Sequence, residues 1–124
     1  MRIITTRRLD NWVQNMHKCA KLGDLAGCKR LMACTDKRYR TLMRYSRVFL
    51  VNLRDKAYST TFMHSAAAGG SVEVVDYLAG LGALVNVVDV TGDTPLHHAV
   101  RGGDGNRAVV ERLLEHVAPD VQVG

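Results

Sequence analysis

Apolar residues return at helical spacing along most of this chain, and the polar residues between them mark where each helix starts and stops. Leu9, Trp12, Val13, Met16 and Ala20 share one face of a first helix, with Asp10 placed to cap its start. Trp12 is expected to seal that first layer rather than to bind a ligand. From Ser71 to about Leu81, Val72, Val74, Val75, Tyr77, Leu78 and Leu81 run round most of the circumference. A helix apolar on several sides must be covered on several sides, so this one is predicted inside a stack. Ser71 supplies its cap and Gly82 a left-handed stop. Thr94 followed by Pro95 opens a short helix that ends at the glycines 102 and 103. From Arg107 to Val117 the pattern is one-sided, with Val109, Val110, Leu113, Leu114 and Val117 opposite Arg107, Glu111, Arg112, Glu115 and His116. That is the pattern of a terminal cap, and Pro119 blocks its continuation.

The helices repeat. Thr61/Thr94, His64/His97 and Ala66/Ala99 are each 33 residues apart, and Val74/Val109, Val75/Val110 and Leu78/Leu113 are each 35 apart. The later copy has therefore gained two residues, around Gly102-Gly103-Asp104-Gly105. Upstream, His17/His64, Ala20/Ala67, Gly23/Gly70 and Leu31/Leu78 are all 47 apart, which is 33 plus an insertion of fourteen. Leu50-Val51-Asn52 and Asp55 match Leu84-Val85-Asn86 and Asp89 at an offset of 34, which places about thirteen of the extra residues between roughly Thr35 and Val48.

On these residues the chain resembles the ankyrin-repeat family. Asp89, Gly92, Thr94, Pro95, Leu96, His97 and Ala99 follow that family's opening pattern, and Gly70, Val74, Val75, Leu78, Gly82, Ala83, Val85 and Asn86 follow its second half. The likeness covers 61–118 closely and 15–34 in outline, where Asn15-Met16-His17 stands for the Thr-Pro-Leu-His segment. The resemblance implies an all-α repeat solenoid of helix–turn–helix units with short hairpin-like finger loops, as one domain over 1–124. Repeat 1 is expected at about 10–55 with a basic insertion at about 35–48, repeat 2 at about 56–88, and repeat 3 at about 89–122. It implies structural roles for His17, His64, Gly70, Gly92, Thr94, Pro95 and His97. It also implies a concave groove faced by Lys18, Lys21, Ser65, Ala68, His98 and Arg101, with Tyr58, Ser59, Val90, Thr91 and Asp93 at the finger tips.

Composition then narrows the function. With 47% hydrophobic and 23% charged residues in 124, the chain reads as one ordinary globular domain. Its longest apolar run, Val48 to Val51, is far too short to span a membrane. Three cysteines at odd spacings read as reduced thiols, so an intracellular place is expected. The cytoplasm is the default. The first nine residues, with three arginines and no acid, keep a mitochondrial alternative open. No chemistry is expected. His97 and His98 leave their helix about 100° apart and chelate poorly; Cys19, Cys28 and Cys34 form no C-x-x-C pair. The glycines at 102–105 lack the strand and the Lys-Ser/Thr of a phosphate loop. Neither catalytic residues nor a metal or cofactor are expected.

Charge points to a partner. Residues 1–58 carry fourteen Lys/Arg against four Asp/Glu, a balance of +10, and residues 59–124 carry three against eight, a balance of −5. The first half is expected to face something acidic. Within it, Lys37 to Phe49 holds no proline or glycine, so a helix is expected. At 100° per residue Lys37, Arg40, Arg44 and Arg47 fall within about 80° of one another, with Tyr39, Leu42, Met43, Tyr45 and Phe49 opposite. The expected function is a non-catalytic protein–protein interaction module, a small accessory or scaffold subunit of a larger assembly. Its alternative is an RNA-associated subunit of a ribosome or other RNA-rich particle, held through the basic half.

Overall fold

The structure, a computed structural model, describes residues 6–34 and 36–117. Among these, helices follow one another without a strand: α1 (Thr6–Leu22), α2 (Leu25–Ala33), a 3₁₀ segment (Lys37–Arg44), α3 (Arg47–Val51), α4 (Phe62–Gly69), α5 (Val72–Gly80), α6 (Pro95–Arg101), a short 3₁₀ turn (Gly103–Asn106) and α7 (Arg107–Val117). The architecture is the expected all-α stack. An inner layer runs α1, α4, α6 and an outer layer runs α2, α5, α7, each helix packed against its neighbours in the layer.

Local chemistry sets each pair. Thr61 caps α4 and Thr94 caps α6, and in both the histidine three residues on closes a capping box with the threonine backbone. Asp24 caps α2 and Ser71 caps α5 through their side-chain oxygens. The turn from inner to outer helix needs a left-handed residue, and Gly70, at φ +79°, supplies it without strain. Close stacking needs a missing side chain, and at Gly69 a Cβ would strike the Lys21 carbonyl of α1. Trp12 is fully buried, its ring edge-on to Phe62 at 5.7 Å and its Nε1 donating to the Leu31 carbonyl at 2.9 Å. Met16, Met63, Leu50, Val51, Leu78 and Leu113 complete the core.

Four expectations are corrected. Helix α1 starts at Thr6, so Asp10 lies inside it and pairs with Lys56 Nζ at 3.0 Å instead of capping. No glycine or proline interrupts the chain before it. The insertion is not one α-helix. It is a 3₁₀ segment that breaks at Tyr45, after which Ser46 caps α3 by accepting from Phe49 N at 3.1 Å. With three residues per turn, side chains at i and i+3 eclipse, which puts Tyr39 and Leu42 in one buried line. Met43, Tyr45 and Phe49, expected on the packed side, are exposed. Third, the apolar face of the last helix is only partly covered: Val109 and Leu113 are buried, whereas Leu114, expected beside them, is 49% exposed. Pro119 and the last part of that repeat lie outside the described residues. Finally, His116, expected on the surface, is half-buried and bonds Asp76 Oδ1 at 3.1 Å.

Candidate interaction surface

The two fingers are built by short polar contacts. Asp89 accepts from Thr91 N, Thr91 Oγ1 and Asp93 N at Oδ1, and meets His98 Nε2 at 2.9 Å through Oδ2. The Thr91 hydroxyl and His98 hold its carboxyl far below the usual carboxylate range. The fingers are joined to each other. Val90 N donates to the Tyr58 carbonyl at 2.9 Å, and Arg54 Nη1 donates to the Val88 and Ser59 carbonyls at 2.6 and 3.2 Å. Gly92 takes its turn at φ +84°. What remains outside is apolar: Tyr58 and Val90 stand clear of the protein.

Behind the fingers lies a cavity of about 240 Å³ on the inner-helix side. Of the six side chains expected in the groove, Lys21, Ser65, Ala68 and His98 line it, with His17, His64 and Asp55. Lys18 does not. It falls on the stripe of α1 with Asn15 and Leu22, facing a separate cleft of about 560 Å³ between α1, α2 and the 3₁₀ segment. Arg101 lies at the open end of the stack beside Leu96, His97 and Val100, and it pairs with Asp93 Oδ2 at 2.6 Å. Two expected partner contacts therefore satisfy each other.

The cavity invites a catalytic reading that its chemistry opposes. His17 Nδ1 and Ser65 Oγ stand 2.6 Å apart, and Asp55 lines the same space. Burial lowers the His17 pKa to about 4, against an opposing pull from Asp55. A base that weak takes few protons from a serine at neutral pH. Its Nε2 is buried without a partner, and the ring lies edge-on to Phe62 at 4.7 Å. His17 thus holds the repeat position in register but not the capping role. Its helix runs on past it toward the N-terminus, so it has no cap threonine to serve.

His64, Asp89 and His98 bring ligand-type atoms within 4.8 Å of one another. The frame already uses them. His64 Nδ1 accepts from Thr61 N at 3.2 Å and meets Thr61 Oγ1 at 2.9 Å, while Nε2 donates to the Asp93 carbonyl at 2.8 Å. Burial also lowers the His64 pKa, so the neutral ring belongs to the fold. The thiols are equally quiet: burial pushes Cys28 up to about 12 and raises Cys19 and Cys34.

The basic insertion separates its cations. Lys37 and Arg40 share one line of the 3₁₀ segment, Arg44 shares another with Arg38, and Arg47 sits past the break on α3. The first three are exposed, whereas Arg47 is half-buried with Nη1 enclosed. The expected single four-cation face is replaced by three outward charges. Asp36, the nearest acid, is taken by Arg38 at 2.8 Å, which holds its pKa at about 2.

Two side chains tie the frame together more than their sequence positions suggested. Asn52 ties α3 to the turn after α5, and its match to Asn86 was the available signal. Asn106, just after the two-residue gain, donates from Nδ2 to the Ala67, Ala68 and Ala99 carbonyls at 3.3, 3.3 and 3.1 Å. Nothing in the repeat arithmetic marks it.

Comparison with known proteins agrees with this geometry. The family model described as ankyrin repeats, three copies, matches residues 16–123. A probable 26S proteasome regulatory subunit p28 of Saccharomyces cerevisiae is 41% identical over 61 residues, covering 48% of this chain and 26% of that protein. The match thus spans about a quarter of the relative's length.

Proposed function

The chain belongs to the ankyrin-repeat family, and from that premise we propose that it is a non-catalytic protein–protein interaction module, a small accessory or scaffold subunit of a larger assembly. The observation that carries the reading is the pair of fingers cross-linked through Val90 N, the Tyr58 carbonyl and Arg54. They form a pre-set surface that leaves Tyr58 and Val90 bare. A surface ordered before binding loses little entropy on docking, which suits recognition of a folded partner. In the cavity His64, His98 and Asp55 are engaged by the finger frame and burial keeps His17 a weak base, which supports a binding role over a catalytic one. The relative's name, a proteasome regulatory subunit, supports membership of a multi-subunit particle. The cytoplasm is the proposed location.

Affinity purification of the full chain from its own cells, with and without nuclease, tests the reading. A protein partner retained after nuclease is expected. Loss of all association after nuclease would favour the RNA-associated alternative, which the +10 first half motivates.

A further inference from the structure

The insertion leaves one side of the molecule that the repeat frame neither needs nor covers. Tyr39 and Leu42 point into the core and clamp the segment in place. Met43, Tyr45, Val48 and Phe49 point out, 56, 42, 55 and 53% exposed. The Tyr45 and Phe49 rings stack on one another with centroids 5.3 Å apart and planes 25° from parallel. The strip continues beyond the insertion. Asn52 Nδ2 donates to the Val48 carbonyl at 2.9 Å and to the Gly82 carbonyl at 3.1 Å, and its Oδ1 accepts from Leu84 N at 2.9 Å. The Val48 side chain lies against the Gly82 backbone, which brings the 59%-exposed Leu84 to the same edge. Side chains this size, each about half bare, leave on the order of 300–400 Å² of apolar surface, the scale at which a monomer's largest patch is often functional.

The strip has a charged border of one sign. Lys37, Arg40 and Arg44 lead into it, and among the described residues none of them meets a carboxylate. Such an edge complements acid. We propose that this strip is the docking face for an acidic amphipathic helix of a partner protein. The apolar stripe of that helix packs on Tyr45, Val48 and Phe49, and its carboxylates reach Arg40 and Arg44. The proposal rests on the interaction-module reading and deepens it by naming the surface and the partner's chemistry. One observation favours protein over a nucleic-acid strand. The two rings are stacked on each other, which closes the slot a base would enter.

Photo-crosslinking in the native cells decides it. The full chain carries p-benzoylphenylalanine in place of Phe49, or of Tyr58 at the finger tip, and crosslinked peptides are sequenced. From position 49 the expected product is a segment of another protein with net negative charge and apolar residues spaced three and four apart. Arg40→Ser with Arg44→Ser lowers that yield at least tenfold and leaves the melting temperature within a few degrees. A nuclease-sensitive adduct at 49, a second copy of this chain, a segment without acidic residues, or no adduct at all overturns the proposal. A partner captured from 58 with none from 49 does so while keeping the interaction-module reading. No protein adduct from either position removes both.

Discussion

Repeat 2 and repeat 3 carry the same four-residue device, and the structure gives it two different values. Thr61 with His64 and Thr94 with His97 each close a capping box with matching contacts, the threonine N–H donating to histidine Nδ1 at 3.2 and 3.0 Å. His64 is fully buried, and its Nε2 reaches on to the Asp93 carbonyl of the following finger. His97 is exposed, with no following finger among the described residues. The same holds along the helix: Ala67 is fully buried beneath repeat 3, whereas its counterpart Val100 is 59% exposed. A repeat motif therefore caps its own helix from its own letters, but its burial is lent by the next repeat in the stack. In a quasi-one-dimensional fold the nearest-neighbour term decides.

Substitutions at matched positions sharpen this contrast. The largest effect is expected in the outer-helix core, where Leu78→Ala and Leu113→Ala each cost about 2–5 kcal/mol in urea unfolding. Leu78, packed between two repeats, falls at the upper end. Next, His64→Ala should cost about 2–3 kcal/mol, since it leaves a buried carbonyl and a cap unpaired. His97→Ala should cost only about 0.5–1 kcal/mol, the value of an exposed cap. The pattern of letters alone predicts equal losses at the two histidines. Equal melting temperatures for the two variants would show that the following repeat adds nothing to His64.

Acid should weaken the fold through the inner layer, where His17 and His64 are buried. The folded pKa of His17 lies near 4, below its ordinary 6.5, and that of His64 is lowered as well. Below pH 6.5 the unfolded chain takes up protons that the folded chain refuses. The stabilising contribution is therefore complete above about 6.5 and is lost as pH falls through 4. For His17, roughly 1–2 kcal/mol is expected once the ring's contact with solvent is allowed for. Thermal melts from pH 7.5 to 4 should show the fall, and His17→Asn should flatten it. The smallest effect belongs to the exposed Glu111, where Glu111→Ala should cost under about 0.5 kcal/mol. A loss matching that of Leu113→Ala would mean that this face is buried against something else.

The sequence carried the stack clearly because periodicity is a global signal. The offsets of 33, 35 and 47 placed His64, His97, Gly23 and Gly70 where the structure has them, and Trp12 in the first layer. Departures from the repeat were read poorly, since no second copy constrained them. Between Lys37 and Phe49 an α-helical angle put Arg47 with Arg40, but a 3₁₀ segment and the Ser46 cap rotated them apart. Lys18 aligns with the groove residue Ser65 at the offset of 47, but α1 turns it to the other cleft. The Arg101–Asp93 pair was hidden because both residues read as free surface charges until the finger folds back toward α6.

On the proposal above, the repeats hold the fold and the inserted strip meets the partner. One variant reads both halves at once: Lys37→Ser, Arg40→Ser and Arg44→Ser together, with Arg47 kept because it is half-buried with Nη1 enclosed. These exposed changes should leave the melting temperature within a few degrees, at under about 0.5 kcal/mol each. Association with the native assembly at physiological salt should be lost or greatly weakened. Full retention of the partner by that variant, with the fold intact, would contradict the account and return the contact to the groove and the fingers.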